Sequence, residues 1–208
     1  KKRRDQTWKQ WLMNPMALKL PLLDPDAFLS KWAYRLNWLV GVRGASLWLV
    51  VVAPALFFAT QHWTELTGNL SDRALSARNL VLMALIFPLV KVLHELGHGF
   101  ATKIWGGGVH EMGVMFLVFA PVPYVEASAA SAFPSKFQRA VVGAAGMLVE
   151  TFLAAIALYV WLLVEPGLVR ALAFNVMLIA GISTLVVNGN PLLRYDAYFI
   201  LADLIEMP

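Results

Sequence analysis

The chain has 208 residues, of which 59% are hydrophobic and only 14% charged, with a net charge of +4. Soluble domains carry roughly 25% charged residues, so an ordinary soluble globule is excluded and a membrane protein is indicated. The absence of cysteine rules out disulfides and any thiolate metal site.

Residues 1–43 are basic and rich in tryptophan, opening with "KKRRDQTWKQW". Asp24 or Asp26 beside Pro25 predicts a helix start. Phe28, Leu29, Trp32, Leu36 and Leu39 then share a face flanked by Lys31 and Arg35. This pattern suits an interfacial helix on anionic membrane lipids. The interleaved tryptophans favour headgroups over nucleic acid as the partner of the basic segment.

Residues 44–63 carry no charge and are long enough to cross a bilayer core of roughly 30 Å as a first transmembrane helix. A polar connection follows at 64–78, and 79–105 reads as a second span. "GGG" at 106–108 ends it as a turn. Pro121 and Pro123 argue against a helix within 109–133, where a short strand or re-entrant hairpin is expected. Residues 140–164 form a third span carrying one charge, Glu150, and 171–188 a fourth. The sequence "GNPLLRYDAYFILADLIEMP" then breaks the helix and begins another apolar segment. The fold expected is an all-α polytopic membrane protein with about four transmembrane helices and a short re-entrant β segment. The chain starts at Lys1 rather than Met and stops at Pro208 just after an apolar segment, which suggests a piece of a longer protein.

Lys and Arg gather on one side of this topology: Lys1, Lys2, Arg3, Arg4, Lys9, Lys19, Lys31, Arg35, Arg43, Lys136, Arg139 and Arg194. Arg73, Arg78 and Arg170 lie on the other. The positive-inside bias makes the first side cytoplasmic.

The second span holds "KVLHELGH". His94 and His98 are four residues apart and share one helical face, so both imidazoles can hold one Zn2+ ion. Glu95 is turned about 100° away, where it can serve as general base without ligating. This is the H-E-x-x-H arrangement of metallopeptidases. Its setting sharpens it, because a charge at a span centre costs roughly 2.5–3.5 kcal/mol on insertion scales. Catalytic zinc keeps three protein ligands and an open position. By residue type the third ligand could be His62, His110, Glu111, Glu150, Asp196 or Asp203. His62 falls at the wrong end of span one and His110 in a loop. Asp196 follows the break at Asn188–Pro191, and unwound backbone at membrane depth is tolerated only around a protein-lined cavity. That favours Asp196.

"HELGH" in a span, followed after a later span by Asn188, Pro191 and Asp196 at the spacings N-x-x-P-x-x-x-x-D, resembles the site-2 protease family of intramembrane zinc metallopeptidases. The resemblance covers roughly 79–205. "WGGGVHEMGV", "FAPVPYVEASAASAF" and "NGNPLLRYDAYF" look closer to a bacterial branch of peptide zinc metallopeptidases, some linked to secretion-type adaptor regions. The resemblance implies zinc on His94, His98 and Asp196, with Glu95 as base. It also implies a strand within 109–126, whose edge would pair with an extended protein or peptide substrate. The implied setting is the bacterial inner membrane, with the active site toward the cytoplasm. Other envelope proteins are expected partners.

The chain departs from the family pattern twice. Ala197 stands where glycine usually follows the aspartate, and Glu150 stands where many members have asparagine. These departures motivate an alternative, a catalytically weak or inactive zinc-binding scaffold in an export or envelope assembly. Lys91 is expected to pair with Glu150 inside the bundle and so leave Glu95 free. Asn188, Pro191, Glu150 and Lys91 are the supporting residues of the site.

Overall fold

The structure is a computed structural model that describes residues 17–68, 70–117 and 120–205. The basic cluster from Lys1 to Lys9 lies outside the described residues.

The chain is an all-α polytopic membrane protein. Among the described residues, four helices are long and apolar enough to cross a membrane: Val42–Gln61, Ala77–Ile104, Lys136–Leu163 and Leu168–Asn188. We label the N-terminal helix Asp26–Leu36 α1, and the first three spans α2, α3 and α4 in order. The fourth span consists of α5, Leu168–Ile182, and a π-helical turn, Ser183–Asn188. A last helix, α6, covers Asp196–Leu204. The connection after α2 is itself helical, at Trp63–Thr67 and Leu70–Leu75.

Apolar side chains on opposed faces hold the spans together. Val52 and Ala55 of α2 pack with Ala155, Leu158 and Trp161 of α4 and Phe174 of α5. Ile86 and Val90 of α3 pack with Ile179 and Ala180 of α5. Lipid tails are as apolar as these residues, so polar pins add specificity. The Trp48 indole donates to the Leu148 carbonyl at 3.1 Å. Asn175 donates to Asn79 at 2.7 Å.

The re-entrant segment is a hairpin of β2, Met112–Leu117, and β3, Ala120–Val125. Sequence reading finds this hairpin but not its third member. Strand β1, Ala17–Leu23, pairs antiparallel with β2, giving the order β1-β2-β3. It comes from the segment read as purely interfacial, and its partner residues lie 89 to 100 positions further along the chain, from Leu23 with Met112 to Ala17 with Leu117.

Helix α1 does form where expected, with a different cap. Pro25 is its N-cap residue and no side chain caps it. Asp26 instead accepts Lys103 at 2.7 and 2.8 Å and the Val109 N–H at 2.9 Å. This clamp ties the start of α1 to the end of α3. Leu29 and Ala33 are buried, while Phe28 and Trp32 remain exposed. The helix is therefore half packed on the protein, with Phe28 against Phe100 at 6.0 Å between ring centroids.

Candidate metal centre

His94 and His98 project from one face of α3 and are both buried. Their Nε2 atoms are 3.0 Å apart. Asp196 approaches from the first turn of α6. Its Oδ2 lies 3.2 Å from His94 Nε2 and its Oδ1 3.6 Å from His98 Nε2. The separated stretches read from the sequence thus meet at one point. These three residues could hold a metal ion, with one ligand atom from each lying within 4.8 Å of the others.

The tautomers sharpen this. His98 Nδ1 lies 2.7 Å from the Val142 carbonyl oxygen, an acceptor, so the ring proton sits on Nδ1. His94 Nδ1 lies 3.2 Å from Glu150 Oε1 without hydrogen-bonding geometry, and that carboxylate is the acceptor within reach of a proton there. A neutral imidazole has one N–H and one lone pair. In the neutral form that ligates a metal, a ring with its proton on Nδ1 turns its Nε2 lone pair toward the other ring and the carboxylate. Asp196 Oδ2 is correspondingly buried without a hydrogen bond. Converging acceptors of this kind call for a cation.

Two glycines of α4 make the room. A Cβ on Gly146 would collide with His94 Nε2 and His98 Nε2. A Cβ on Gly143 would come 2.9 Å from Ile200 Cγ1, so the absence of a side chain there lets α6 approach and deliver Asp196. Burial alone would raise the Asp196 carboxyl, but the adjoining His94 and His98 outweigh it and hold the group below its usual range. The ionised form is the one that ligates. Asp196 keeps 20% of its side chain exposed, so the site is not sealed.

Glu95, off the histidine face, accepts the Val125 N–H at 3.0 Å. Glu126 N–H donates across the hairpin to the Glu111 carbonyl at 2.8 Å. Main-chain direction alternates along a strand, so Val125 N–H leaves the other edge of β3, toward α3. Glu95 therefore sits on the strand's outer edge.

Lys91 Nζ donates to Glu150 Oε1 at 2.8 Å, the pairing expected from the sequence. Asn188 reaches Ser183 Oγ at 3.4 Å. Pro191 is exposed in the break before α6. The other third-ligand candidates are engaged elsewhere. His62 Nδ1 is 3.1 Å from the Phe58 carbonyl oxygen. His110 lies 3.5 Å from Asp24, Glu111 accepts Tyr124 at 2.6 Å, and Asp203 accepts Arg139 at 2.7 Å. Ala197 is the second residue of α6 and helical, so this position has no need of glycine's positive φ.

Sequence reading missed Gly146, the Val142 carbonyl and the hydroxyls of Ser183 and Thr184. The two hydroxyls had a signal, as adjacent polar residues in an apolar span. The carbonyl had none. Comparison with family models, curated proteins and solved structures returned no match.

Proposed function

We propose that the chain is an intramembrane zinc metallopeptidase of the site-2 protease type. It would act in a bacterial inner membrane on membrane-embedded or exported polypeptides, with its site toward the cytoplasm. The observation that carries this reading is the meeting of His94, His98 and Asp196, each offering one ligand atom to the same point. Zinc–nitrogen bonds of about 2.0–2.1 Å put tetrahedral donors about 3.3 Å apart. The two Nε2 atoms are 3.0 Å apart, Asp196 brings Oδ2 to 3.2 Å from His94 and Oδ1 to 3.6 Å from His98, and one atom from each residue lies within 4.8 Å of the others. Zinc held there would supply Lewis acidity toward a peptide carbonyl and make water more acidic.

The chain's own residues do the rest. Glu95 takes a proton from the attacking water and passes it to the leaving amide nitrogen. One water is consumed, and a carboxylic acid and an amine are released. The β3 edge offers an extended peptide a main-chain partner next to that carboxylate. A helical substrate has its carbonyls hydrogen-bonded, and unwinding it onto a strand exposes them. The basic residues beside the metal-centre end of the bundle support the cytoplasmic assignment.

Metal analysis of purified protein and of Glu95→Gln tests the proposal, alongside cleavage of single-span reporter proteins in proteoliposomes. The variant should keep zinc and lose about 10²–10⁴ of the rate, as expected for a general base. Cleavage by Glu95→Gln at the wild-type rate would remove Glu95 as the base, and zinc binding without cleavage by the wild type would favour a zinc-binding scaffold.

A further inference from the structure

Glu150 is completely buried in a membrane-spanning helix. Its Oε1 accepts Lys91 at 2.8 Å and Ser183 at 3.2 Å, and its Oε2 accepts Thr184 at 2.7 Å. Lys91 also donates to the Ser183 hydroxyl. Adjacent residues of a regular α-helix point about 100° apart. The π-helical turn at Ser183–Asn188 brings both hydroxyls to one carboxylate.

Stability does not explain this arrangement. A buried ion pair often contributes less than apolar residues of the same volume. The remaining neighbour of Oε1 is His94 Nδ1, at 3.2 Å, a buried nitrogen that has no hydrogen-bond partner in this arrangement. A metal-ligating histidine commonly gives its other ring N–H to a carboxylate, which fixes the ring and strengthens it as a donor.

We propose that Glu150, fixed by Lys91, Ser183 and Thr184, is the positioning residue for His94. It accepts the Nδ1 proton and holds Nε2 toward the cation. The Lys91 charge offsets that of the carboxylate, so the ring is oriented without adding net negative charge to the site. Glu150 touches no reacting atom. The inference rests on the metal reading given above, and deepens it.

The test uses the full chain in detergent. Zinc affinity is measured by competition with a chelator, and ligand geometry by the visible absorption of the Co2+-loaded protein. Lys91→Met combined with Glu150→Met removes the ion pair without leaving a lone buried charge. Zinc affinity should fall about 10–100-fold, the usual cost of losing such a partner, and the Co2+ spectrum should change. Lys91→Met with Glu150→Gln keeps an acceptor oxygen and should restore most of the affinity, which a purely structural role would not do. Thr184→Val should weaken binding to a smaller degree.

A folded Met–Met variant with wild-type affinity and spectrum would overturn the proposal. Should that variant fail to fold, wild-type affinity in Thr184→Val would overturn it instead. Wild-type protein that binds no metal would overturn this inference and the proposed function together. Wild-type protein that binds zinc but cleaves nothing would remove the peptidase reading alone, and the affinity losses would still support Glu150 in its role.

Discussion

At the scale of single residues, the site depends as much on what is missing as on what is present. Gly146 leaves the space that both imidazoles occupy. Gly146→Ala should cost about 1–3 kcal/mol as an overpacked contact and should displace the histidines, so the purified variant should lose most of its metal by mass spectrometry. Gly181→Ala is the control. Nothing lies within 4 Å of a Cβ there, so metal content should be unchanged. Stability should rise by up to about 1 kcal/mol, since alanine is the better helix former. The histidines, Glu95 and Asp196 are legible in the sequence because charge and imidazole are costly in a greasy span and must be repaid. Lys91 with Glu150 is legible for the same reason. Gly146 and the Val142 carbonyl are not, because an empty volume and a main-chain oxygen leave no mark on residue type.

At the scale of elements, the spans follow from apolar length alone, and their observed ends differ from the expected ones by a few residues. The hairpin is announced by Pro121 and Pro123. Strand β1 escapes notice because pairing across such sequence separation is set by the partner, and because Lys19 and Pro21 weaken its local signal. Asp26 looks like a cap and is a clamp instead, since Lys103 comes to it only in three dimensions. Lys103 and the Val109 N–H hold the Asp26 carboxyl below the usual aspartate range. A carboxyl lowered on folding contributes stability above its unfolded pKa and loses it as pH falls through the folded value. The clamp should therefore be intact at neutral pH and lost only in acid below the ordinary aspartate range. Asp26→Asn should loosen it at every pH. Proteolysis at Gly106–Gly108 should quicken in that variant, and its rate should no longer depend on the titration of this carboxyl.

At the scale of the whole molecule, four spans put the connection after α2 and the hairpin region on opposite sides of the bilayer. The chain has no cysteine, so single-cysteine labelling has no background. Ser131→Cys and Thr64→Cys both fall at exposed positions. In oriented vesicles, a membrane-impermeant maleimide should reach Ser131→Cys only from one face and Thr64→Cys only from the other. Labelling of both from one face would break the topology. Membrane class is legible from composition because the bilayer demands it of every span. The pairing of helices is not, since many apolar faces are interchangeable until polar pins such as Asn79 with Asn175 select among them.

The outer rim of β3 has one further consequence. Residues 121, 123 and 125 turn their main-chain groups that way, by the alternation that sends Val125 N–H to Glu95. Two of the three are prolines and have no hydrogen to give. That leaves Val125 as the rim's sole amide donor, and Glu95 already occupies it. On the proposed peptidase reading, a polypeptide that claims this hydrogen must evict the carboxylate, so engagement of the guest and release of Glu95 become a single exchange.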